Sequence, residues 1–516
     1  MGKTLLSANE FSRRRFLAAA SLVSGGALAA CARQDNPAGI ATRRFDRIAA
    51  AEAARPRTGK SVSATLTASQ SDIDLGGAVA RTLAYNDQVP GPVIRAAVGD
   101  ELAINLDNRL PRPSSVHWHG IALRNDMDGA APATANVSPA SRFTYRFTSP
   151  HPGTYWAHPH TGLDADHGLY LPLIIDDPAE PGHYDAEWIV LLDDWTAGIG
   201  SSPQQIYDGL RGMRTGHGSS MPAMPGMGKP GHEGMPDVPG VGGVGPSDLL
   251  GGDAGDVSYP YYLINGRIAD APTTFTAKPG QRVRIRIINV GSDTAFRVAL
   301  AGHSMTVTHT DGFPVIPTRV DAVLLGMGER YDVVVTTGDG VFPLVAAAEG
   351  KNAVARALLS TGAGSAPDPA FQPSELRGRV GTVDAFTAAP EVVLESTETD
   401  TALTAQLSGT MMGYNWMING RPYLDTTPLT IQQGQNATLT FTNSTMMWHP
   451  IHLHGHTFQV IKPDGSPGCR KDTVIVLPMK SVSVRFVADN PGIWMLHCHN
   501  TYHQEAGMMT TLNYQS

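Results

Sequence analysis

Alternation of apolar and polar residues, the mark of a strand with one buried face, recurs three times along the chain. Residues 99–108 (GDELAINLDN), 280–289 (GQRVRIRIIN) and 434–443 (GQNATLTFTN) each run from a glycine to an asparagine over the same spacing. Gly99, Gly280 and Gly434 each read as a turn that delivers the chain into an alternating strand. An asparagine stands upstream of every copy, at Asn86, Asn265 and Asn419, and the last two open matching turns, Asn265-Gly266-Arg267 and Asn419-Gly420-Arg421. The copies lie too far apart for a solenoid and suit duplicated sandwich domains. The pattern predicts an all-β chain of three Greek-key β-sandwiches over residues 61–180, 181–375 and 376–516.

The pattern lapses in two places. Residues 31–60 are rich in Ala, Arg and Pro without sustained periodicity and read as a flexible tether without structure. About residues 200–255, inside the second domain, a Gly/Pro/Met-rich insertion carries Met213, Met221, Met224, Met227 and Met235, with His217 and His232 among them. Composition alone fits a surface loop. Methionines in so polar a stretch have no core to fill, and the thioether is a soft ligand that selects Cu(I), so a tract that collects or delivers cuprous ions is the sharper reading.

The chemistry concentrates in four short segments. In His497-Cys498-His499 a strand would turn both imidazoles one way and the thiol the other, so one strand serves two metal sites. Cys498, His503 and Met508 supply the thiolate, one imidazole and the weak axial thioether of a blue-copper ligand set, and His449 can complete it. Paired imidazoles on one strand face recur at His117/His119, His158/His160 and His452/His454. With His497 and His499 these exceed one tetrahedral zinc site, favour copper over calcium or magnesium, and fit a three-copper cluster.

These segments, HWHG, HPH, HPIHLHGH and HCHNTYHQEAGM, resemble in kind and order the four copper motifs of the multicopper oxidases. The resemblance implies a cupredoxin fold in each domain and four copper ions, one type 1, one type 2 and a type 3 pair. It assigns His449, Cys498, His503 and Met508 to type 1 copper, and His117 and His452 to type 2. The type 3 pair falls to His119, His158, His160, His454, His497 and His499. Since the first and third domains carry all the motifs, the cluster is expected at their interface. The resemblance also implies that electrons enter at type 1, pass through Cys498, and reduce dioxygen to water.

Oxygen reduction consumes protons, and Asp128 stands where the family carries an acid beside the cluster, although a turn aspartate before Gly129 has the same spacing. A second acid of some cuprous oxidases is replaced by Gln504, with Glu505 as the substitute. Met447 matches a methionine that binds substrate copper in cuprous oxidases, whereas Thr445 replaces their aspartate. The remaining histidines His151, His167, His183, His303, His309 and His456 show no metal-binding spacing.

Composition refines the setting. The chain has 516 residues, 41% hydrophobic and 17% charged, with a formal net charge of −8, and no basic block suggests nucleic acid. Arg13-Arg14 followed by a short apolar run matches a twin-arginine export signal over residues 1–30, and Leu28-Ala29-Ala30-Cys31 resembles a lipobox. Acylation of Cys31 would tether the protein to a membrane at the cell envelope; ordinary cleavage nearby would leave it soluble and exported. With Cys31 and Cys498 committed, Cys469 has no disulfide partner. The expected function is a monomeric oxidase of Cu(I) that protects the cell envelope from copper. The alternatives are a laccase-like oxidase of phenols or aromatic amines, a ferroxidase, or a non-catalytic copper-sequestering lipoprotein.

Overall fold

A computed structural model describes residues 37–180, 182–212, 238–396 and 398–515. The export signal, Cys31 and the five tract methionines Met213, Met221, Met224, Met227 and Met235 lie outside the described residues.

The three repeats fold into three copies of one corner. Gly99, Gly280 and Gly434 sit at φ 83°, 80° and 90°, where a side chain is disfavoured, and each leads into a strand: Glu101–Asn108, Arg282–Asn289 and Asn436–Asn443. Each of these strands pairs in parallel with an earlier one, Ser61–Asp74, Ala186–Trp195 and Thr401–Thr410. The closing asparagines are buried, and their amides donate to main-chain carbonyls that end neighbouring segments: Asn108 to Val137 at 2.9 Å, Asn289 to Leu325 at 3.1 Å, Asn443 to Met447 at 2.7 Å. The upstream Asn86, Asn265 and Asn419 adopt φ of 55°, 52° and 54°, and each accepts a main-chain N–H from the strand it faces, at 2.7, 2.8 and 2.8 Å. Asparagine tolerates the left-handed region because its short amide finds such local partners.

Around these corners the strands form three pairs of facing sheets: two of four strands, two of six, and one of six with one of five. This is the cupredoxin-like β-sandwich architecture expected. The alternating strands bury one face, as in Asn436–Asn443, where every second side chain is buried. Each such Leu, Ile, Val or Phe contributes about 1.5–3 kcal/mol. Among the described residues, no helix is long and apolar enough to cross a membrane.

One expectation is corrected. The supposedly structureless stretch 31–60 contains the helix Pro37–Ala53. Its Ala- and Arg-rich composition favours a helix, and tertiary contacts hold it: Ile48 is buried, and Glu52 accepts the Thr148 N–H at 2.9 Å and pairs with Arg55. By chain contacts residues 43–515 form one unit, and the described residues before it only begin this helix.

Candidate metal centre

The strands His449–Leu453 and Ile493–Cys498 are antiparallel neighbours, with Ile451 opposite Cys498 and His452 opposite His497. Alternation therefore places His497 with His452 on one side and Cys498 on the other, as the pattern of the tripeptide implied.

On the Cys498 side, the thiol sulfur lies 3.6 Å from His449 Nδ1 and 3.7 Å from His503 Nδ1, and the two nitrogens are 3.1 Å apart. All three residues are buried. His503 Nε2 is 2.9 Å from the Asp256 carboxylate, which can only accept, so that nitrogen carries the proton and Nδ1 presents a lone pair. His449 Nε2 is 2.9 Å from the Thr445 hydroxyl, whose own proton is directed to Asn443 or Met447, so it too faces Nδ1 inward as a lone pair. Two lone pairs at 3.1 Å repel each other unless a cation sits between them. Burial pushes the Cys498 thiol well up, so a bound cation must displace its proton to obtain the thiolate. Asn500 caps the helix Thr501–Glu505 by accepting from the Tyr502 and His503 N–H groups, which fixes His503. Buried Met508 accepts the Cys498 N–H at 3.0 Å through its carbonyl and so closes the same loop over the site.

On the other side, eight imidazoles converge. His119, His158 and His499 form one group, His160, His454 and His497 a second, and His117 and His452 come together with His119 in a third; within each, ligand nitrogens lie within 4.8 Å of one another. Hydrogen bonds fix the tautomers. Nδ1 of His117, His158, His452 and His497 contacts a main-chain carbonyl at 2.9 to 3.0 Å, and Nδ1 of His454 contacts Asp128 Oδ2 at 2.9 Å, so all five point Nε2 into the centre. His119 is reversed: its Nε2 meets Asp472 at 3.2 Å and Nδ1 faces inward. Inward nitrogens of His117, His119, His158 and His452, and both of His499, are buried without a hydrogen-bond partner. Burial first, and the neighbouring imidazoles second, hold His119, His158, His454, His497 and His499 well below the ordinary histidine range, and push His160 down to about 3. Neutral, converging and partnerless, these nitrogens fit transition-metal ions.

Asp128 is brought into the centre. Besides its bond to His454, its carbonyl accepts from His117, and its Oδ1 is buried without a hydrogen-bond partner, 3.3 Å from His117 Nδ1. Gly129 at φ 81° makes this possible, since a Cβ there would lie 1.7 Å from the Val116 carbonyl oxygen. Glu505 is not brought in: its carboxylate faces the Gln504 amide at 3.5 Å, and burial raises its pKa. Met447 is buried at 3% exposure, so it offers no surface to an incoming ion. His456 is occupied by the His454 carbonyl and the Tyr514 hydroxyl.

Three groups escaped the sequence reading. Asp256, from the end of the Met-rich insertion, orients His503. Asp472 supports both His119 and, through its carbonyl, His452, while pairing with Arg330 at 2.7 Å through both oxygens. Burial would raise the Asp472 carboxyl, but Arg330, then His119 and His452, hold it well below the usual range. Gly328, in the middle domain, lines the cluster: a Cβ there would lie 2.9 Å from His119 and 3.0 Å from His499. Each acts across a domain boundary with no spacing to reveal it.

Family profiles described as "Multicopper oxidase" match residues 67–180, 187–364 and 396–516. The chain is 62% identical to Multicopper oxidase MmcO of Mycobacterium tuberculosis, over 98% of this chain and 97% of that protein. It is 27% identical to a Copper resistance protein A homolog of Pseudomonas syringae pv. tomato, over 86% of this chain and 90% of that one. The laccase of Botrytis aclada shares the fold, with a TM-score of 0.69 at 24% identity, covering 92% of this chain and 90% of its own. Two converging imidazole sites joined by one strand, and these matches along all three sandwiches, lead to one conclusion: the chain belongs to the multicopper oxidases, copper-dependent oxidoreductases that use dioxygen.

Proposed function

We propose that this protein oxidises Cu(I) with dioxygen and serves copper tolerance of the cell envelope, reached by twin-arginine export and tethered through Cys31. In this reading His449, Cys498, His503 and Met508 hold type 1 copper, His117 and His452 type 2, and His119, His158, His160, His454, His497 and His499 the type 3 pair. Four copper ions in this arrangement supply one-electron storage and the means to reduce dioxygen by four electrons. The protein's own residues do the rest. Cys498 lies between His497, in the same strand, and His499, just past its end, so a covalent path of on the order of 10 Å joins the two sites. Burial of every ligand but His160, which is half-buried, keeps water from the centre and spares the site reorganisation. Asp128 is the proton relay of this reading, its Oδ1 buried without a hydrogen-bond partner 3.3 Å from His117 Nδ1 and its Oδ2 2.9 Å from His454 Nδ1.

The observation that carries the oxidase reading is the pair of inward lone pairs of His449 and His503 beside the Cys498 sulfur, back to back with the eight-histidine cluster. The choice of Cu(I) as donor rests on the thioether-rich tract and on the likeness to a copper-resistance protein. The test is oxygen uptake by copper-loaded protein after anaerobic addition of Cu(I), beside a variant with Met213, Met221, Met224, Met227 and Met235 replaced by Ser. Fast uptake that falls selectively in the variant supports both donor and tract; uptake with phenols and none with Cu(I) refutes the proposal.

A further inference from the structure

Four of the cluster histidines stack in two pairs. His119 lies on His452 with ring centroids 3.8 Å apart and planes within 14°, and His117 lies on His454 at 3.7 Å and 18°. In the proposed assignment each pair joins one type 2 ligand to one type 3 ligand, and each is gripped by one aspartate. Asp128 holds His117 through its carbonyl and His454 through Oδ2, both at 2.9 Å. Asp472 holds His452 through its carbonyl at 2.9 Å and His119 through Oδ1 at 3.2 Å. The Thr473 hydroxyl ties this second pair together. It donates to Asp472 Oδ1 at 2.9 Å and accepts from His119 Nε2 at 3.2 Å and His452 Nδ1 at 3.1 Å.

The two grips differ. Asp128 keeps one oxygen without a hydrogen-bond partner, whereas both oxygens of Asp472 are taken by the Arg330 fork at 2.7 Å. Arg330 is fixed in turn, its main-chain N–H donating to Asp311 and its Nε–H to the Thr154 carbonyl, both at 2.9 Å. Asp311 also accepts the Asp472 and Thr473 N–H groups at 3.2 Å. Gly120, directly after His119, leaves room for the pair: at φ 86° a Cβ there would lie 2.4 Å from Arg330 Nη2 and 2.5 Å from Asp472 Oδ2. Arg330 and Asp472 are fully buried. Apolar residues of similar volume often replace such a pair at no cost in stability, so stability alone does not account for it. A neutral imidazole takes either tautomer, and the partner of its outer nitrogen decides which. Asp472, a carboxylate that only accepts, forces the proton onto His119 Nε2 and leaves Nδ1 facing inward, the reverse of His117, His158, His452, His454 and His497.

We infer that Arg330 and Asp472 are positioning residues for the cluster, selecting the Nδ1 face of His119 and locking the His119/His452 stack. The sandwich that carries no copper ligand thereby takes a direct part in the chemistry. The lock keeps Nδ1 of His119 and Nε2 of His452, both buried without hydrogen-bond partners, directed at one centre. The type 2 and type 3 labels rest on the proposed assignment; the selection of the tautomer does not.

The test uses the full chain with Arg330→Met and Asp472→Leu together, which removes the ion pair without leaving a lone charge. In copper-free protein with 15N-labelled histidine, His119 is expected to pass from the Nε2–H form to the Nδ1–H form or a mixture. His117 and His454, held by Asp128, are expected to keep Nδ1–H. In copper-loaded protein the blue absorption stays, the paramagnetic resonance signal of type 2 copper changes its hyperfine splitting, and oxygen uptake falls about tenfold or more. Should the double variant not fold, Gly120→Ala displaces the same pair without a change of charge, and the same change at His119 is expected. A folded variant in which His119 keeps its Nε2–H form overturns the inference, because a mere brace would alter the unfolding temperature and not the tautomer. A changed tautomer with an unaltered type 2 signal upholds the inference and refutes the assignment of His452 to type 2.

Discussion

Asp128 and Asp256 do different work on similar partners, each a carboxylate facing an imidazole. Asp128 faces the cluster with an oxygen free to carry a proton, so Asp128→Asn is expected to lower the rate of oxygen reduction by about a hundredfold or more while leaving the blue absorption intact. Oxygen uptake by pre-reduced protein checks this; a rate within a factor of two of the unmodified enzyme would assign the proton to another group. Asp256 carries the buried His503 N–H and the Tyr414 hydroxyl, at 2.9 and 2.8 Å. Asp256→Ala orphans both donors and is expected to cost about 1–3 kcal/mol in thermal unfolding of the copper-free protein. Removal of a nearby negative charge favours the less positive, reduced state, so the type 1 potential rises in a redox titration. The histidines and Cys498 were legible because ligands on one strand must alternate, and alternation is a property of spacing. Asp256 and Asp472 were not, because a carboxylate that orients an imidazole from another domain obeys no spacing at all.

The turns and strands were legible for a related reason. A corner built from a left-handed asparagine, a left-handed glycine and a buried asparagine leaves the same residues behind wherever it recurs. Asn289→Ala and Asn443→Ala each remove buried hydrogen bonds and are expected to cost about 1–3 kcal/mol by chemical denaturation. Only Asn443→Ala is expected to alter the blue spectrum, because Asn443 also positions Thr445, which bonds His449. The helix Pro37–Ala53 was legible only in its composition: its decisive contact, Glu52 with the Thr148 N–H, joins segments whose proximity the local pattern does not encode. The loop that carries Gly328 makes a sharper test. Gly328→Ala drives a methyl into His119 and His499 at φ 87°, and cluster copper is expected to fall by metal analysis, with oxygen reduction lost and the blue site kept.

Across domain boundaries the fold relies on buried charge. Arg330 of the second sandwich grips Asp472 of the third, which in turn meets His119 of the first. Behind them, burial alone would raise the Asp332 carboxyl, but Arg284 and Arg286, with His309, hold it at about 2. A carboxylate depressed on folding adds stability above its unfolded pKa, about 3.9, and loses it as pH falls through the folded value. Acid titration of unfolding free energy is therefore expected to show a loss of about 2–3 kcal/mol from this group between about pH 4 and pH 2; a flat profile there would contradict the pairing. The strand Ile493–Cys498, which carries His497 and Cys498 and leads directly into His499, follows the segments of the other cluster histidines in the chain. Until it has threaded between His449–Leu453 and Met509–Tyr514, neither site has its full set of ligands, whatever the earlier sandwiches have achieved. Copper loading thus waits on the third sandwich: without this strand the chain offers scattered imidazoles, and only its insertion closes both sites around a metal that reacts with oxygen.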